Sequence, residues 1–268
     1  MALKLKLLVV ALIFATRLLG QQQGQEGLPG QTGPQKLVWS DEFDRAGAPD
    51  TTKWTMDMIP KGRFNNELQR YVAGPENCFV AGGLLHIKAL KDGDDITSAR
   101  LVTRGKGEWL YGRIEARIKL PGGVGVWPAF WMMPAHSAYG GWPRSGEVDI
   151  MEYVGYAQDT IHGTIHTMAY NHTRNTQKSS IIHTNNVERD FHIYACAWGP
   201  GKIEMFVDGI KYFEFPNDRA GNFATWPFDR PFYIILNLAI GGDWGGRKGV
   251  GPGIMPCEME VDWVRVYQ

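Results

Sequence analysis

The feature that most constrains this chain is its rhythm: no stretch sustains an apolar pattern of 3.6-residue period over three turns, and short runs take its place. "KLVWSDEF", "GLLHIKAL", "GRIEARIKL", "VWPAFWMMP", "EVDIMEYV", "FHIYACAW", "KIEMFVDG", "PFYIILNLAI" and "MEVDWVRVYQ" alternate apolar with polar residues or are β-branched and aromatic. Gly, Pro, Asn or Asp separates them, and Asp208-Gly209 inside "FVDGIKYFEF" is a two-residue hairpin turn signal. The expected fold is all-β: a sandwich of two large antiparallel sheets. From Lys36 to Gln268 the pattern has no second linker and no internal repeat, so one domain is expected over residues 36–268.

The N-terminus is different in kind. Residues 1–20, "MALKLKLLVVALIFATRLLG", combine Lys4 and Lys6 with an apolar run too short to span a bilayer comfortably, the form of a secretory signal peptide; an uncleaved anchor is the rival reading. Residues 21–35 are Gln/Gly/Pro-rich and read as a flexible linker. No later segment is apolar enough to cross a membrane, so a secreted protein without membrane association after cleavage is expected. The formal net charge is zero and no basic stripe occurs, which argues against nucleic acid as a partner. Cys78, Cys196 and Cys257 allow one disulfide with a leftover thiol, or three free thiols, but no disulfide scaffold. Asn171-His172-Thr173 is an N-glycosylation sequon.

The chemistry concentrates in "SGEVDIMEYVG", residues 145–155. In a strand Glu147 and Asp149 share a face, whereas Glu152, at odd spacing, should face the other way. One extra residue in a β-bulge, with Met151 as the candidate, returns Glu152 to the side of the other two. Carboxyls crowded on one face raise one another's pKa. A retaining glycosidase needs that situation: one carboxylate ionised as nucleophile, another about 5–5.5 Å away held protonated as acid. A solvated acidic edge, or a cation site built from the same acids, are the other readings of the spacing.

"GEVDIMEYVG" resembles the E-x-D-x-x-E signature of glycoside hydrolase family 16 in its bulged form. Further blocks are similar to the laminarinase (endo-1,3-β-glucanase) branch: "FNNELQRYV", "GEWLYGRIEARIKLP", "VWPAFWMMP", "HGTIHT", "LNLAIGGDWGG" and "VDWVRVYQ", covering essentially Lys36–Gln268. The resemblance implies a concanavalin-like jelly roll with a concave glycan-binding cleft. It makes Glu147 the nucleophile, Glu152 the general acid/base and Asp149 the helper between them, with no cofactor for catalysis. The partner implied is a β-glucan polysaccharide or oligosaccharide, cleaved by a protein expected to be a monomer.

Ten tryptophans are heavy usage, and aromatic planes suit the apolar faces of sugar rings. Trp127 and Trp131 share one strand face, Trp142 precedes the acidic strand and Trp244 sits in "GGDWGG"; the family pattern favours stacking for Trp131 and Trp142. Asn66 in "NNELQ" and Arg104 in "LVTRGK" are candidates for sugar hydroxyls, and the resemblance places His166 beside the acid/base. The other histidines, bar His162 in line with His166, show no ligand spacing, so no zinc site is expected. By resemblance Asp262, with main-chain oxygens near Glu42 and Gly83, would hold a structural calcium. A non-catalytic β-glucan recognition protein, and enzymes of this fold acting on mixed-linkage 1,3-1,4-glucan or a galactan, are the alternatives.

Overall fold

The computed structural model describes residues 35–268. The signal segment and all but the last residue of the linker lie outside the described residues, as does any judgement on cleavage. Among the described residues no helix is long and apolar enough to cross a membrane. The one helical element among the described residues is a single 3-10 turn, His172–Arg174.

Two sheets make up the rest, as the alternating runs require. The eight-stranded sheet runs in the order Lys178–His183, Thr160–His166, Glu147–Tyr153, Val126–Pro134, Phe232–Ile240, Arg100–Val102, Thr55–Met56, with Glu108–Trp109 also on Phe232–Ile240. The ten-stranded sheet runs Ile210–Pro216, Lys202–Val207, His192–Trp198, Gly112–Lys119, Cys257–Tyr267, Leu84–Asp92, Asp95–Ser98, Arg70–Tyr71; Leu37–Asp41 adds to Cys257–Tyr267 and Cys78–Ala81 to Leu84–Asp92. Every pairing is antiparallel except the short one between Arg70–Tyr71 and Asp95–Ser98. The Asp208-Gly209 signal forms its hairpin: Val207 pairs with Ile210, and both turn residues take positive φ, 50° and 80°.

The core lies between the sheets and follows the period of two. Along Leu84–Asp92, Leu85, Ile87 and Ala89 are fully buried while His86 and Lys88 face out. Along Val126–Pro134, Val126, Phe130 and Met132 enter the core, and the alternate residues Trp127, Trp131 and Met133 are left on the far face. The run "FYIILNLAI" is buried throughout, because Phe232–Ile240 is central: its even positions fill the core and Tyr233, Ile235, Asn237 and Ala239 lie on the other face. Each such aliphatic or aromatic side chain contributes roughly 1.5–3 kcal/mol of burial.

Two further expectations resolve here. All three cysteines are free. The sequon closes on itself: Asn171 is 2% exposed, its Nδ2 donates to the Thr167 carbonyl at 3.1 Å, and Thr173 Oγ1 donates to its Oδ1 at 2.6 Å. The amide that a glycan would need is thus engaged inside a turn.

Candidate active site

The outer face of the eight-stranded sheet forms the floor of a cleft of about 780 Å³. Register fixes what shares that floor. Asp149 pairs with Thr164 and Glu152 with His162, so three steps along the acidic strand match two steps of its neighbour. On the other side Phe130 pairs with Met151 and Trp131 with Asp149, which leaves Ile150 without a partner. The bulge exists, and its unmatched residue is Ile150 rather than the expected Met151. Ile150 and Met151 both turn into the core, at 0% exposure, and Glu147, Asp149 and Glu152 all line the cleft.

Burial, then the charge of Asp149, pushes Glu147 up to about 8, with His166 and Trp142 acting against the rise. Glu152 is likewise pushed up to about 8 by burial and Asp149, opposed by the Trp127 indole, whose Nε1–H donates to Glu152 Oε1 at 3.0 Å. Asp149, 3% exposed, is raised well above the usual carboxylate range by burial. His166 Nε2 stands 3.4 Å from Asp149 Oδ2 and 3.7 Å from Glu147 Oε1. Such a group cannot carry three negative charges near neutral pH. Asp149 is the most enclosed of the three. Single ligand atoms of Glu147, Asp149 and His166 lie within 4.8 Å of one another, so the same trio has the donor set of a cation site.

Eight of the ten tryptophans fall into two groups. Trp127, Trp131, Trp142 and Trp244 line the cleft, whereas Trp54, Trp109, Trp198 and Trp226 are core. Trp244 stands edge-on to Trp127 at 5.3 Å and to His162 at 4.9 Å. Its loop needs glycine: a Cβ on Gly245 would meet the Gly241 carbonyl at 2.7 Å and Trp127 Cβ at 2.8 Å. Trp142, 39% exposed, leans over His166 and His172 at ring distances of 6.0 and 5.0 Å.

The wall beyond Trp131 is a hydrogen-bonded chain. Trp131 Nε1 donates to Asn237 Oδ1 at 2.7 Å, Asn237 Nδ2 to Tyr71 Oη at 3.1 Å, and Tyr71 Oη to Glu67 Oε2 at 3.2 Å. Arg100 lies over the Trp131 ring at 4.8 Å and within 5.9 Å of Phe64. Of the two sugar-hydroxyl candidates on this side, the structure puts neither among the lining residues. Asn66 donates to Asp243 Oδ1 at 2.9 Å, and its neighbours Asn65 and Glu67 line the cleft. Arg104 pairs with Asp57 at 3.1 Å and lies over Tyr233; the arginines that do line the cleft are Arg63, Arg100 and Arg247.

Sequence reasoning passed over Arg100, Tyr71, Asn237 and His172, all of which line the cleft. Asn237 alone had a signal, as the single polar residue in "FYIILNLAI". His86 was set aside too, yet its Nδ1 lies 3.7 and 3.9 Å from Glu258 and Glu260 on the opposite face. At the expected calcium position, Arg265 holds both Glu42 oxygens and Arg117 Nη1 holds Asp262 Oδ2 at 2.7 Å.

Comparison with known proteins accords with this site. The chain is 50% identical over 243 residues to the β-glucanase of Rhodothermus marinus, covering 87% of this chain and 85% of that one. It superposes on the X-ray structure of the laminarinase from Rhodothermus marinus with a TM-score of 0.86 at 48% identity, over 89% of this chain and 99% of the other. With glucan endo-1,3-β-glucosidase A1 of Niallia circulans it shares 36% identity over 87% of its own length, but spans only 38% of that longer protein. The sequence profile of glycosyl hydrolases family 16 matches residues 64–265, a span that holds the bulged strand and both cleft walls, and the chain belongs to that family.

Proposed function

We propose that this protein is a secreted, retaining endo-β-1,3-glucanase acting on laminarin-like β-glucans. The observation that carries the reading is the bulge at Ile150, which brings Glu152, out of strand phase with Glu147 and Asp149, onto one cleft floor with them. Glu147 attacks the anomeric carbon from one face of the sugar while Glu152 gives its proton to the departing glycosidic oxygen. Glu152 then takes a proton from a water whose oxygen bonds the anomeric carbon and displaces the Glu147 carboxylate, which leaves the configuration retained. Burial between them raises Asp149 well above the usual carboxylate range, which limits the like charge facing Glu147, and the imidazole of His166 favours the ionised Glu147. The β-glucan identity of the substrate rests on the named relatives and on the aromatic, arginine-capped wall at Trp131 and Arg100. The basic, apolar N-terminus supports secretion.

The deciding experiment is reducing-sugar release from laminarin, barley mixed-linkage glucan, cellulose and agarose by the purified domain and by Glu147→Gln. Laminarin cleaved fastest, and lost in the variant, is the expected result. Laminarin bound but no glucan cleaved would replace the reading with a recognition protein.

A structural calcium at Asp262 belongs to the same reading. Pairing of Asp41 with Val264 and of Leu85 with Val261 places Glu42 and Gly83 on either side of Asp262, which itself sits at a register shift between Val261 and Trp263. One carboxylate with main-chain oxygens is a donor set for a hard cation, and its contribution would be to hold three strands, not to catalysis. Calcium should raise the melting temperature of the monomer and of Arg117→Ala but not of Asp262→Ala.

A further inference from the structure

We propose that Tyr212, on the opposite sheet, is a positioning residue that locks the catalytic bulge in register; the claim rests on the glycosidase reading above. Its hydroxyl donates to the Ile150 carbonyl at 2.8 Å, across the sandwich from Ile210–Pro216 to Glu147–Tyr153. Ile150 is the one residue of the bulge that the neighbouring strand Val126–Pro134 leaves unmatched. A bulge takes a peptide out of the ladder, and a buried carbonyl left there needs a donor from elsewhere. Tyr212 is that donor, and burial keeps its phenol raised well above its usual range, so it always carries the proton.

The surroundings are cut to fit this contact. Gly163 stands opposite Ile150 and Met151 on the facing strand. A Cβ there would lie 2.5 Å from Tyr212 Oη, 2.9 Å from its Cε2 and 2.7 Å from Met205 Sδ, so any larger residue displaces the phenol. The hydroxyl's other neighbour is Met205 Sδ at 3.9 Å. The strand carrying Tyr212 is fixed in its turn by the Asp208-Gly209 hairpin to Lys202–Val207.

The consequence follows from strand parity. Removing the extra residue from the ladder by a one-residue slip would send Glu152 to the core face, because side chains alternate. The Ile150 carbonyl presented to Tyr212 exists only in the bulged register, so the bond selects that register. Tyr212 is not among the residues that line the cleft, and it lies on the other sheet from the Trp131–Arg100 wall. Losing the bond should therefore disturb the orientation of the acids and leave glucan binding alone.

Tyr212→Phe keeps the ring and removes the donor. On the glucan that the wild type cleaves best, kcat is expected to fall about tenfold with KM within twofold. Amide hydrogen exchange at residues 150–152 is expected to quicken about tenfold, with exchange in Gly112–Lys119 unchanged. Gly163→Ala, which pushes the phenol away, should give the same kcat loss, and the double variant should lose no more than either single one. A kcat within twofold of the wild type, whatever the melting temperature does, would overturn the proposal, as would unchanged exchange at the bulge. If the wild type cleaves no glucan, the glycosidase reading fails, and the exchange measurement alone still decides whether Tyr212 holds the bulge.

Discussion

The two outward faces of the sandwich treat charge in opposite ways. On the ten-stranded sheet four acids each have a cation beside them: Glu42 has Arg265, Asp262 has Arg117, Glu115 has Arg113, and Glu204 has Lys202 and Lys211. Cations there also cover aromatic rings, as Arg265 covers Trp263 at 4.1 Å and Arg117 covers Phe191 at 4.7 Å. On the eight-stranded sheet three acids crowd together beside His166, and Asp149 Oδ2, His162 Nε2 and His166 Nδ1 are buried with no hydrogen-bond partner in the protein. A face with matched charges gains little from any one of them. A face with unmatched ones costs stability and holds groups ready for a substrate's hydroxyls and for proton transfer.

The contrast breaks most visibly where the unmatched acids are removed. Glu147→Gln and Glu152→Gln should each lower kcat at least about a thousandfold with the fold intact by circular dichroism. Wild-type-like hydrolysis by either variant would reassign the roles. Arg100→Ala should act on binding instead. It strips a guanidinium from the Trp131 face, and KM should rise about tenfold with kcat within threefold. A pure kcat loss in Arg100→Ala would mean that this wall shapes the transition state.

These residues were not equally visible in the sequence. Strands and core came from period-two alternation, which is a local property, and so did the need for a bulge, since Glu152 breaks parity with Glu147. Which residue bulges was not local, because it depends on how two neighbouring strands register against the acids. Arg100 and Arg104 lie at the same parity in "RLVTR", and only the end of strand Arg100–Val102 separates a wall residue from a rim residue. Parity gives nothing at Asn65 and Asn66, where φ is positive at 46° and 53° and the chain leaves the strand region. His172 and Tyr212 reach the site from a turn and from the other sheet, and no spacing within their own segments announces it.

A subtler test sets the cost of the unmatched face against pH. The folded pKa of Glu152, pushed up to about 8, lies above its unfolded value, so between those two values the native state holds a proton that the unfolded chain has lost. Its contribution to stability is complete below the unfolded value and is lost as pH rises through about 8. Gln does not titrate and keeps an oxygen for the Trp127 indole. Glu152→Gln should therefore match the wild type near pH 4 and exceed it by about 2 kcal/mol at pH 8, or about 4–8 °C in melting temperature. The same ionisation removes the general acid, so wild-type activity should fall as pH passes about 8. Equal stability of the two proteins at all pH values would mean that Glu152 is not strained by its burial.

The smallest effect is expected where charges are matched. Arg117 pairs with Asp262 at 2.7 Å with its own side chain 37% exposed, and it lies against Phe191. A half-solvated pair of this kind contributes about 1 kcal/mol at most, much of it through packing of the arginine stem. Arg117→Ala should lower the melting temperature by about 2–4 °C and leave kcat and KM within twofold. The effect should shrink further in high salt, which screens the ion pair but not the ring contact. If activity falls instead, the two faces are not independent, and the ten-stranded sheet transmits strain through the core to the acids. That outcome would move Arg117 from the matched face's bookkeeping into the mechanism, beside Tyr212, as a second outer-sheet residue on which the cleft depends.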